Sequence, residues 1–99
     1  MTEEIPLQGG AINAHQFFTI QLGRNLLDFT INYLTTLDAP AWSMDISRAG
    51  VPLVSGAMLE PGSDIIDFYG AGIGRLIFVG DDVTLDNLGI DNHLVWSDV

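Results

Sequence analysis

Ninety-nine residues carry 13 acidic side chains against three basic ones, a formal net charge of −10, with no lysine and no cysteine. Disulfides and thiolate metal sites are thereby excluded, and binding to a nucleic-acid backbone or an anionic lipid surface is disfavoured, because only Arg24, Arg48 and Arg75 could neutralise such a partner. Charged residues make up 16% of the chain and hydrophobic ones 47%, so part of the apolar excess is expected to face a partner or another copy.

The N-terminus, MTEEIPLQGG, is acidic and lacks an apolar stretch, so it does not read as a signal peptide. No run approaches the roughly 18 apolar residues of a membrane helix. Residues 1–13 read as an arm. Ile5 precedes Pro6 and is held extended, and Gly9-Gly10 breaks regular structure. Residues 14–99 read as a single β-barrel-like domain.

Within that domain, His15–Leu22 alternates Phe18, Ile20 and Leu22 with Phe17, Thr19 and Gln21, a strand with one buried and one wet face. Turn residues Gly23-Arg24-Asn25 precede a second strand over 26–34, where Phe29, Ile31 and Tyr33 share a face. A loop over 35–41 leads to a third strand, 42–47, with Trp42, Met44 and Ile46 on one side. Gly50 turns the chain into a fourth strand over 51–55, which Pro52 assigns to an edge or a bulge, with a bend or bulge at Gly56. After the Pro61-Gly62 corner, Ser63 offers a helix cap and Asp64 and Asp67 suit a first turn, so one short helix is expected over 64–69. Residues 75–79, RLIFV, apolar on both faces, read as a central or sandwiched strand, 80–92 as an acidic loop, and 93–97 as the last strand. The expected fold is all-β: a small antiparallel barrel or rolled sheet of five to six strands with one short helix.

The chain offers little reactive chemistry. His15 and His93 lie on separate strands without ligand spacing, and no serine sits in a nucleophile elbow. Gly70-Ala71-Gly72-Ile73-Gly74 precedes a strand, the reverse of a dinucleotide-binding order, and reads as a flexible link. Asp81, Asp82, Asp86 and Asp91 lack the twelve-residue calcium pattern and its closing Glu, and read as a solvated acidic loop with Asx turns. No catalytic residue, metal or cofactor is expected. The interface candidates are Glu3, Glu4, Ile5 and Leu7 of the arm, expected to pair with a neighbouring chain; Phe17, which faces away from Phe18; and Asp81 and Asp82.

Five stretches carry a resemblance to a known family. They are the Ile5-Pro6-Leu7 arm with a first strand ending in Leu22-Gly23; Trp42-Ser43-Met44-Asp45-Ile46-Ser47; Gly50 with Pro52-Leu53-Val54-Ser55-Gly56; Leu59, Pro61-Gly62 and Asp64-Ile65-Ile66; and Asn87-Leu88-Gly89 before Leu94-Val95-Trp96. In order and spacing they resemble the small all-β baseplate plug proteins of contractile-tailed phages, from which Ala41 and Arg48 depart locally. The motif residues Trp42, Asp45, Gly50, Leu53, Gly56, Pro61, Gly62, Asn87, Leu88 and Gly89 are expected to be structural. The resemblance implies a virion protein of the tail baseplate, made in the host cytoplasm and present in several copies. It would act as a plug or linker among hub, spike and tube-end proteins, without catalysis, nucleic-acid binding or membrane contact. The competing readings are a capsid decoration or tail-terminator subunit, and an acidic inhibitor of a basic protein.

Overall fold

The computed structural model describes residues 2–34, 41–62, 64–66 and 72–97. Among these, seven strands form: β1 (Thr2–Ile5), β2 (His15–Leu22), β3 (Asn25–Leu34), β4 (Ala41–Arg48), β5 (Val51–Met58), β6 (Arg75–Gly80) and β7 (Asn92–Ser97). They make two antiparallel sheets, a three-stranded one in the order β1-β7-β6 and a four-stranded one in the order β2-β3-β4-β5. The all-β class is as expected, but the described residues carry seven strands and close no barrel. On one side the segment that follows β5 is tied to β6 by an isolated antiparallel bridge, Gly62 to Phe78, continued by Ile65 N–H donating to the Leu76 carbonyl. On the other side β1 and β2 are both edges, with no ladder between them among the described residues.

The additional strand is the N-terminal segment, read above as an arm for a neighbour. Thr2–Ile5 pairs instead with Leu94–Ser97 of its own chain. Ile5 is 0% exposed and Leu7 packs against the core, so Ile5 is a core residue and not an interface residue. The sequence pattern hid this because Glu3 and Glu4 interrupt any apolar alternation over so short a strand.

Alternation in β2 and β3 follows the sequence, whereas in β4 Ser43, on the face opposite Trp42, is buried as well. Leu27, Phe29 and Ile31 of β3 and Trp42, Met44 and Ile46 of β4 are buried, and together with Ile5, Leu76, Phe78, Leu94 and Trp96 of the smaller sheet they form one hydrophobic cluster. Phe18 stacks on Phe29 at 5.3 Å between ring centroids, and Tyr33 meets Trp42 edge-on at 5.2 Å. Residues 64–66 form a turn in which the Asp64 carboxylate accepts the Ile66 N–H at 3.3 Å; the rest of the expected helix, with its Ser63 cap, lies outside the described residues.

β5 is the edge strand that Pro52 announced, and it extends beyond the expected Ser55 to Met58. Its register against β4 shifts twice. Between Met44–Ala57 and Ile46–Val54, the single residue Asp45 opposes Ser55 and Gly56, and its carboxylate accepts the Gly56 N–H at 2.7 Å. Gly56 has φ 75°, which a side chain would strain. Leu53 is the extra residue of the second bulge.

The β4–β5 hairpin turns on Ala49 (φ 51°) and Gly50 (φ 81°), the two positive angles of a type I′ turn. Alanine is a poor residue there, because its Cβ crowds the following carbonyl. Ala49→Asn is therefore expected to stabilise the fold by about 0.5–1 kcal/mol. Thermal unfolding would show a rise of a few degrees in Tm, and a fall would refute the turn assignment.

Candidate interaction surface

The acidic loop between β6 and β7 is an organised structure. Thr84 and Asn87 cap each other: the Asn87 side-chain carbonyl accepts the Thr84 N–H at 2.6 Å, and the Thr84 hydroxyl accepts the Asn87 N–H at 3.3 Å. The Asn87 amide also donates to the Asp82 carbonyl at 3.0 Å. Asn92, 0% exposed at the start of β7, accepts the Gly89 N–H at 2.9 Å and donates towards the Asp81 carbonyl and Asn87 Oδ1. Leu88 is fully buried beneath the loop. Gly89, at φ 80°, lies so close to the Leu7 carbonyl that no Cβ would fit.

Two buried tryptophans tie loops to the sheets. Trp42 Nε1 donates to the Thr84 carbonyl at 3.0 Å, and Trp96 Nε1 to the Ile73 carbonyl at 2.6 Å. The Gly10 N–H donates to the Leu85 carbonyl at 2.6 Å, so the loop, β4 and the segment after β1 hold one another. Gly74 packs against the Ser97 carbonyl, so this glycine serves close packing and not only looseness.

The candidate residues do not converge on one point. Phe17 is 65% exposed on β2, and Asp81 and Asp82 are exposed at the loop. Glu4 is exposed and its carboxylate lies 2.8 Å from His93 Nδ1 on β7, while Glu3 is half-buried opposite Trp96. His15 bonds Asn32 on the other sheet, so the two histidines stay apart. No group of three or more metal-ligating side chains exists among the described residues. The motif residues hold backbone: Trp42 and Asn87 by hydrogen bonds to loop carbonyls, Asp45 and Gly56 at the bulge, Gly50 in the turn, Gly62 at the bridge next to exposed Pro61. Asn92 was missed. A lone Asn between an Asp-rich loop and an apolar strand was the available signal.

The acidic loop and the arginines sit towards opposite ends of the strands, and Glu3 (opposite Trp96) and Asp28 (opposite Ser47) lie with the arginines. Arg75 opposes Ser97 at one end of the β6–β7 ladder, and Gly80 opposes Asn92 at the other, where Asp81 and Asp91 begin and end the acidic loop. Arg24 lines one cleft with Gly72 and Gly74, beside Arg75, and Arg48 donates to Asn25 Oδ1 at 2.9 Å. All three arginines thus gather at the end away from the acidic loop, accompanied by exposed Leu26 and Val51. Among the described residues no carboxylate pairs with Arg24 or Arg48.

Two small antiparallel sheets over one apolar core define the class: an all-β two-sheet domain. A family model described as the cyanophage baseplate Pam3 plug gp18 matches residues 2–99, and the chain belongs to that family. No curated protein matches it. The protein is accordingly a component of the virion tail baseplate, a structural family whose members associate with other baseplate proteins.

Proposed function

We propose that this protein is a linker in the baseplate that joins two chemically different surfaces, acting by contact and not by catalysis. The carrying observation is the placement of the acidic loop and of Arg24 and Arg48 at opposite ends of the strands. The loop bearing Asp81, Asp82, Asp86 and Asp91 suits a basic surface, and Arg24 and Arg48 at the other end suit an acidic one. One partner is the hub or spike, and the other an inner-baseplate or tube-end protein. Family membership supports the setting, and the two unlike ends support the linking role.

The test is native mass of the purified protein with the hub, spike and tube-end proteins of the same phage. The wild type is expected to form a defined co-complex. Reversing charge at the loop (Asp81→Lys with Asp82→Lys) should weaken binding to one partner by about tenfold or more, and Arg24→Glu with Arg48→Glu should weaken the other. Equal loss of both partners in either variant would refute the two-ended linker. A wild-type chain that ignores every baseplate protein would refute the function.

A further inference from the structure

An open fold of two sheets has four outer strand edges, and three of them are protected. The β5 edge carries Pro52, the positive-φ Gly56 and two register shifts. The β6 edge is covered by Gly62 and Ile65. β1 is four residues long and carries Glu3 and Glu4. These are the usual devices that stop a sheet from growing. Among the described residues β2 has none of them. It runs eight residues, HQFFTIQL, in unbroken register with β3, without proline, carboxylate, lysine or arginine.

The hairpin closes at Leu22–Asn25, so the alternation of an antiparallel ladder directs Leu22, Ile20, Phe18 and Gln16 towards β3. The N–H and C=O groups of His15, Phe17, Thr19 and Gln21 then face outward along the free edge. Phe17 stands on that edge at 65% exposure. An open cleft of about 410 Å³, lined in part by Pro6, Gln8, Asn13, Gln16 and Phe17, lies beside it.

We infer that β2 pairs antiparallel with β2 of a second copy, joining two four-stranded sheets into one. The occupant is a second copy because of the charge distribution. At −10 per chain, contact between copies at the acidic loops or at β1 sets carboxylates against each other, whereas β2 against β2 does not. Registers that keep Phe18, Ile20 and Leu22 on the core side place Phe17 opposite Thr19 of the second copy, or Thr19 opposite itself, uncharged against uncharged. The inference rests on the strand edge and is independent of the linker role.

Sedimentation equilibrium of the full chain over a range of concentration and salt tests it. A monomer–dimer equilibrium is expected, with the dimer favoured by salt, because salt screens the repulsion between two acidic copies and leaves an uncharged pairing intact. Phe17→Lys, at an exposed side chain, should weaken dimerisation by about tenfold or more. Thr19→Pro should do the same while keeping the ladder to β3, because the lost N–H faces outward. Hydrogen exchange should show the Phe17, Thr19 and Gln21 amides protected in the dimer alone. A monomer at every concentration and salt would overturn the inference. So would a dimer indifferent to both substitutions, or one that salt dissolves, which would point to pairing of the acidic loop with the arginine end.

Discussion

Removal of residues 2–10 is expected to unfold the protein. The deletion strips β1 from β7, uncovers Leu94 and Trp96 along that edge, and takes the fully buried Ile5 out of the core. It also removes Leu7 and the Gly10 N–H that the Leu85 carbonyl accepts, freeing the acidic loop. Loss of one buried aliphatic side chain costs about 2–5 kcal/mol. Together with the lost strand pairing, the total is comparable to the roughly 5–15 kcal/mol by which a whole domain is stable. The expected result is loss of the β signal in circular dichroism and of the cooperative urea transition. Ile5→Ala alone should lower stability by about 3 kcal/mol with the fold retained. A truncated chain with an unchanged urea midpoint would show that the segment is a free arm after all.

Asn92→Ala is expected to cost about 2–4 kcal/mol, a large effect for a polar residue, because a buried donor left without a partner bears its full desolvation penalty. The Gly89 N–H loses its acceptor, and the Asp81 carbonyl and Asn87 Oδ1 lose a donor, in the loop that covers Leu88. Asn92→Asp sharpens the test. The introduced carboxylate can still accept from Gly89, but it would face two oxygens at a site without solvent exposure. Its ionisation is disfavoured in the folded state, so its pKa there lies above the unfolded value. The folded state then binds the proton more tightly, and stability relative to the wild type falls as pH rises through the ordinary carboxylate range. Urea unfolding of both proteins at pH 4 and pH 7 reads this directly. Equal penalties at the two values would mean that Asn92 is not the bond-maker described.

Much of the fold was legible in the residues. Strands β2, β3 and β4 declare themselves because side chains alternate with period two and one face must be dry, and β5 because Pro52 cannot donate to a ladder. Helical expectation at residues 64–69 rested on capping propensity, a weak local signal, and the described part of that stretch is a turn tied to β6. Of the candidate surface, Phe17 was legible as the one aromatic on a polar face. Asn92 was not, because a buried amide looks like any loop asparagine until its partners, 3, 5 and 11 residues away, are brought around it.

Class and family were already written in the residues: an acidic, cysteine-free all-β chain with the ordered motifs of a baseplate plug. Both depend on local periodicity and on spacing along the chain, which are written in one dimension. Tertiary structure alone decided that the N-terminal segment belongs to its own sheet, that the sheets stay open and do not close into a barrel, and that three arginines scattered over 52 positions share one end. Those facts depend on which distant strands pair and in what register. Backbone ladders between remote segments set that register, and no short window of sequence encodes it.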